Sequence, residues 1–154
     1  RQPSNRVLDT TMRLKDEGKV RFIGVTGHNR KFHGTLAHQA GSPIDVLQVR
    51  YSAAHRGAEE EVFKGLLKNR PGITTYTATR WGKLLKASKM PPGDQPLTAA
   101  ECYRFALSHP AVDVCLAGPR NEQEMDEGLV ALDAGPLSSE EMDRVRRIGD
   151  HVHG

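Results

Sequence analysis

Apolar and polar positions alternate along this chain in two rhythms that take turns. Four short apolar runs, Phe22–Val25, Val46–Tyr51, Ile73–Tyr76 and Val112–Leu116, are each bounded by turn-forming residues and predict strands. Each is followed by residues at helical spacing: Phe32, Leu36 and Ala37; Val62, Leu66 and Leu67; a helix from Thr98 through Ser108; and Met125, Leu129 and Leu132. A further helical stretch, with Val7, Leu8, Met12 and Leu14, precedes the first strand, and Glu140–Ile148 closes the series. Strand starts lie about 26 residues apart, and about 40 where a long loop intervenes, which is the spacing of βαβ units in a parallel sheet. Four β/α units amount to half of an eight-unit barrel. Arg1 opens directly into a helical pattern with no initiator methionine, so the chain reads as part of a longer organisation.

Local signals set the boundaries. Gly18 and Gly135 supply left-handed helix stops. Thr98 with Glu101, Asn121 with Glu124, and Ser138 with Glu141 make capping boxes. Glu59, Glu60 and Glu61 crowd one first helical turn, where negative charge suits the helix dipole, and Asn69-Arg70-Pro71-Gly72 ends that helix. Thr77 to Pro96 is a long polar segment, of a length that is usually functional or mobile in a compact domain. His151 and His153 read as a frayed polar end.

The second strand departs from the usual pattern. Strands buried on both faces of a parallel sheet are apolar throughout, yet Gln48 and Arg50 alternate with Leu47 and Val49. In a closed barrel one strand face looks into the lumen, which predicts that Gln48 and Arg50 point inward. The chemistry should then gather at the C-terminal strand ends. Thr26-Gly27-His28-Asn29 there offers polar groups to a ligand, or is a turn with a helix cap. Gln48 either bonds a neighbouring strand's side chain or takes an amide on a ligand, because a buried amide must be satisfied. Tyr76 stacks on a flat ring or packs in the barrel mouth. Trp81, the lone tryptophan, is a lid or a core residue. Gly118-Pro119-Arg120-Asn121 precedes a capped helix and either forms an anion site or leaves Arg120 in solvent.

Bulk properties narrow the field. The 154 residues make one domain, with a net charge of +3 from scattered basic residues, which does not point to nucleic acid. No apolar stretch reaches the ~18–20 residues of a membrane span, and no signal-peptide pattern opens the chain. Cys102 and Cys115 form no Cys-x-x-Cys pair and read as reduced core residues of a cytoplasmic protein. His28, His33 and His38 recur every five residues, a spacing that does not line a helix face for a metal.

The segment Leu14-Lys15-Asp16-Glu17-Gly18-Lys19-Val20-Arg21-Phe22-Ile23-Gly24-Val25-Thr26 resembles the "eGkvr-iGvS" stretch of the aldo-keto reductases. Asp45 through Ser52 is similar to their "d-lQ--yn" strand, and Ile73 through Leu85 to "gi--yspl--G-L". Leu107 through Val112, Gly118 through Leu129, and Pro136-Leu137-Ser138 resemble the last β/α unit and terminal helix. The resemblance covers nearly the whole chain. It implies an α/β fold of the (β/α)8 TIM-barrel type, with residues 1–154 as the C-terminal, cofactor-binding half. It further implies NADPH, or NADH, as cofactor and a small carbonyl compound as substrate.

Within the resemblance, Thr26 and Gln48 would bond the nicotinamide carboxamide, and Tyr76 would stack on its ring. Thr77, Arg80, Trp81, Gly82 and Leu84 would follow the pyrophosphate. Gly118, Arg120, Glu124 and Glu127 would surround the adenosine end. Gly27 stands where the family usually carries Asn, so His28 or Asn29 would substitute, and Gly128 replaces an Asn that contacts adenine. Glu124 stands where many NADPH-preferring members carry a basic or amide residue. The family's catalytic Asp, Tyr, Lys and His belong to the first four β/α units, and no residue here matches them. The chain alone is then inactive. It depends on an N-terminal half-barrel or pairs with a second copy. Two rival readings remain: a non-catalytic nucleotide-binding module, and a small doubly wound domain with helices on both sheet faces.

Overall fold

The computed structural model of the chain describes residues 5–66, 68 and 70–153; Arg1, Leu67 and Asn69, named above, lie outside the described residues. The order is α1 (Asn5–Asp16), β1 (Gly24–Thr26), α2 (Arg30–His38), β2 (Val46–Arg50), β3 (Gly72–Tyr76), α3 (Ala99–Leu107), β4 (Val114–Cys115), α4 (Glu122–Ala134) and α5 (Ser139–His153). All strand pairs are parallel, in the order β1-β2-β3-β4. A doubly wound sheet reverses its strand order at a switch point. This one does not, and follows the chain as an arc of a (β/α)8 barrel does.

Burial alternates along the strands. Leu47, Val49, Ile73 and Thr75 are fully buried, whereas Val46, Gln48, Arg50, Thr74 and Tyr76 are half-buried. Helices α2 and α3 pack beside β2 and β4 on the buried side. The second strand's odd alternation thus has its reason: Gln48 and Arg50 occupy the lumen face. With one face covered and the other open, the doubly wound reading is set aside.

Several boundaries differ from expectation. Phe22, placed in the first strand, precedes β1 and is 66% exposed. Val112 likewise precedes β4, and Tyr51 leaves β2 to enter the core. The helix expected from Glu59 is a single π turn, Glu59–Phe63, because Gly65 turns the backbone at φ 76°. Its acids serve tertiary partners. Glu59 accepts from the buried Tyr51 hydroxyl at 2.7 Å and from Arg146 at 2.7 Å, tying β2's end to α5. The last helix runs on to His153, whose Nδ1 lies 2.6 Å from Ala54 O, so this end is docked and not frayed.

The N-terminal strand ends are pinned by two aspartates in equivalent places, a repeat that pattern reading missed. Asp45, just before β2, accepts from Ile23 N at 2.7 Å and Lys15 Nζ at 2.6 Å. Asp113, just before β4, accepts from Ile73 N at 2.7 Å and from both Arg70 terminal nitrogens at 2.6 and 2.9 Å. The Lys15 ammonium and the Arg70 guanidinium respectively hold these carboxyls below their usual range. A depressed folded value adds stability above the unfolded value of about 3.9, and that stability is lost as pH falls through the folded value. Asp45→Ala should therefore cost about 2 kcal/mol at neutral pH. The gap from wild type in urea midpoint should narrow as pH approaches 3; a gap independent of pH would contradict the pinning role.

Candidate cofactor site

The strands bring polar side chains into one row on the lumen face. Thr26 on β1 stands in register with Gln48 on β2, which stands in register with Thr74 on β3. These three line a hollow of ≈ 390 Å³ on the lumen face. Among the described residues none of their side chains has a hydrogen-bond partner, so Gln48 does not bond a neighbouring strand's side chain. Its amide is left to face the lumen.

Tyr76 ends β3 on the same face and is held in place. Its hydroxyl lies 3.2 Å from Gly27 O and 3.3 Å from His28 Nδ1, and the His28 ring meets it edge-on at 6.4 Å. Asn29 is engaged as the α2 cap, its Oδ1 accepting from Phe32 N at 3.1 Å. Of the two proposed substitutes for the Asn missing at Gly27, only His28 lies against Tyr76.

Beyond Tyr76 the backbone is unusual. Thr77, Arg80 and Trp81 take φ values of 61°, 50° and 52° without being glycine, followed by Gly82 at 75°. Such strain persists only where surroundings over-determine it, and it clusters at functional sites. The long polar segment is not loose. It contains two 3₁₀ turns, Lys83–Leu85 and Ala87–Lys89, and Asp94 pairs with Arg147 of α5. Trp81 is 63% exposed, which fits a lid and not a core residue. Leu84 is fully buried, its N–H donating to Thr79 O and its carbonyl accepting from Leu97 N. It anchors the loop and offers nothing to a ligand, contrary to expectation.

A cleft of ≈ 560 Å³ opens next to this loop. Thr79, Trp81, Gly82 and Lys86 form one wall; Gly118, Arg120, Glu124 and Glu127 form the other, with Tyr103 between them. Trp81 and Gly82 thus share one space with Gly118, Arg120, Glu124 and Glu127, far apart in the chain and all expected at a dinucleotide. Arg120 folds back on Glu124, its Nη2 2.5 Å and Nε 3.0 Å from Oε1. Glu124 also accepts from Arg120 N, so it does not close the expected capping box on Asn121, whose Oδ1 still caps Glu124 N at 2.9 Å. Glu127 spends one oxygen on Ala99 N at 3.0 Å, fastening α4 to the start of α3. Tyr103 and Lys86 escaped notice in the sequence. The signal for Tyr103 was Gly128, where a Cβ would stand 3.1 Å from the Tyr103 ring.

Residues 2–101 match the Aldo/keto reductase family. The chain belongs to that family. Its fold is similar to that of the aldo-keto reductase AKR11C1 from Bacillus halodurans in its holo form. The TM-score is 0.73 at 18% identity, covering 95% of this chain and 56% of that one. The apo form gives 0.72 at 17%, covering 96% and 57%. An aldo-keto reductase from Brucella melitensis gives 0.65 at 16%, covering 92% and 53%. The chain therefore spans about half the length of the solved reductases it matches. Among curated proteins none matches it.

The remaining chemistry is sparse. Among the described residues no three His, Cys, Asp or Glu side chains come together to hold a metal ion, and no helix is long and apolar enough to cross a membrane. Cys102 is a free, buried thiol whose ionisation is pushed well up by burial, in keeping with a core role.

Proposed function

We propose that residues 1–154 form the C-terminal half of an aldo-keto reductase barrel and bind NADPH, with NADH as an alternative. The supporting observation is the row of strand-end groups together with the cleft beside the strained loop. An unpartnered Thr26–Gln48 pair lies at one end and the Arg120–Glu124–Glu127 cleft at the other, with Tyr76 and the strained loop between. A dinucleotide laid across strand ends needs that arrangement. Thr26 and Gln48 donate to and accept from the carboxamide. Tyr76 presents its face to the nicotinamide, its ring fixed by the hydroxyl's bond to Gly27. Trp81 covers the bridge to the adenosine end. There the Tyr103 ring, crowding Gly128, offers an aromatic face to adenine where the family uses an amide.

The bound cofactor supplies hydride to a small carbonyl compound. The lumen face of the described strands carries no Asp and no Lys, and the Tyr76 hydroxyl there is engaged with Gly27 and His28, so in this reading the proton on the product oxygen comes from groups outside this face. In this reading the chain works with an N-terminal half-barrel or a second copy, as a cytoplasmic enzyme. Alone it should bind NADPH without oxidising it when 4-nitrobenzaldehyde is offered, followed by reduced-nicotinamide absorbance. Steady consumption by the chain alone would contradict the division of labour. A nucleotide-binding module that never catalyses differs in one outcome: supplying a complementary half-barrel restores no turnover.

Cofactor preference turns on the Arg120–Glu124 pair. Glu124→Gln leaves the guanidinium free for a 2′-phosphate. NADPH affinity should rise about threefold to tenfold and NADH affinity by less than about twofold, since only NADPH carries that charge. Equal changes for both cofactors would contradict this role for Arg120.

A further inference from the structure

The rim above the lumen holds an unusual surplus of cations. Its neighbouring arginines are answered: Arg30 by Glu61 at 2.5 Å, Arg56 by Asp150 at 2.5 Å, and Arg146 by Glu59 at 2.7 Å. Arg50 is not. It is half-buried at the end of β2, and its side chain has no hydrogen bond or ion pair among the described residues. Arg80 is nearly as bare. Its Nε and Nη1 are buried without partners, and Nη2 reaches only His153 O at 3.5 Å. Both guanidinium charges act on the His55 ring, which sits between the Trp81 and His153 rings at 6.4 and 5.3 Å. Burial first, and then these two charges, lower the His55 pKa to about 4, so the imidazole is neutral at physiological pH and brings no third charge.

Leaving the buried Arg80 nitrogens unanswered is costly, and buried polar groups without partners call for an explanation; the half-buried Arg50 adds a second unpaired charge. An anion between Arg50 and Arg80 would supply it, because guanidinium nitrogens match carboxylate and phosphate oxygens. Its position says whose anion it is. Arg50 lies on the same strand face as Gln48, about 7 Å further along, and in register with Tyr76. That puts Arg50 at the nicotinamide end of the cofactor site, where the dinucleotide carries no negative group; Arg80, expected on the pyrophosphate, turns to the substrate in this reading.

We infer that Arg50 and Arg80 form an oxyanion-binding site at the barrel mouth that selects carbonyl substrates bearing a carboxylate or phosphate. Assigning the anion to the substrate rests on the cofactor reading above; anion binding itself does not. Titrating the chain with inorganic phosphate should change Trp81 emission saturably. Arg50→Met should weaken phosphate roughly tenfold or more while changing NADPH affinity by less than about twofold, with Arg50→Lys between. Arg50→Met should also melt no lower than wild type, since it removes an unanswered cation. Undiminished phosphate binding in Arg50→Met, or a clearly lower melting temperature, overturns the site. Equal loss of phosphate and NADPH overturns the substrate assignment and gives the anion to the cofactor's pyrophosphate. Loss of phosphate binding in a chain that never bound NADPH supports the site and removes only the cofactor reading.

Discussion

Gly149→Ala should destabilise the chain by about 2–3 kcal/mol, although alanine is the better helix former by about 1 kcal/mol. Gly149 lies inside α5, and a Cβ there would collide with the carbonyl group and side chain of Ala53. The obstacle is mostly backbone and cannot swing aside. Helix α5 would have to lift from the loop after β2. The same lift would strain the Arg146 bonds to Glu59 and the His153 contact with Ala54. Gly34 makes the matching approach on α2, where a Cβ would collide with the Glu61 carbonyl oxygen. Urea midpoints of Gly149→Ala and Gly34→Ala should both fall well below wild type. Gly118→Ala should change little, because a Cβ there meets nothing nearby. Equal tolerance at the three positions would contradict these close approaches.

The second large effect concerns binding. Tyr76→Ala should raise the NADPH dissociation constant by about tenfold to a hundredfold, the loss expected when a stacking face worth about 1–3 kcal/mol is removed. Gln48→Ala should raise it by about tenfold through its carboxamide bonds. Neither side chain belongs to the buried core, so melting temperatures should stay close to wild type. Calorimetric titration separates the outcomes: unchanged affinity with unchanged melting would remove Tyr76 and Gln48 from the cofactor site.

The sequence carried the parallel βα order clearly because its strand cores are short apolar runs and its helices are capped by local residues. Thr98 and Glu101 close their box as expected, and so do Ser138 and Glu141. Asn121 and Glu124 do not complete theirs, because Arg120 takes both carboxylate oxygens, one with its backbone N–H and the other with its guanidinium. The inward turn of Gln48 and Arg50 was readable from alternation alone. Where tertiary contact decides, local pattern gave little. Gly65 ends the turn at Glu59 locally, but its tie to Arg146, 87 residues away, is not written in the nearby sequence. Gly149 and Gly34 look like weak points in helices until their backbone neighbours are known. His153 looks like a frayed end for the same reason. Leu84 matched a binding motif in register, yet its side chain faces the core, which a linear motif cannot distinguish.

The most direct test excites Trp81, the single tryptophan, and follows transfer to reduced nicotinamide as NADPH is added. A cofactor lying between the Thr26–Gln48 hollow and the Arg120 cleft passes under Trp81. Tryptophan emission should then fall saturably while nicotinamide emission rises, and Tyr76→Ala should weaken the transition. No transfer at millimolar NADPH, in wild type and again after a complementary half-barrel is added, would contradict a cofactor site on this path.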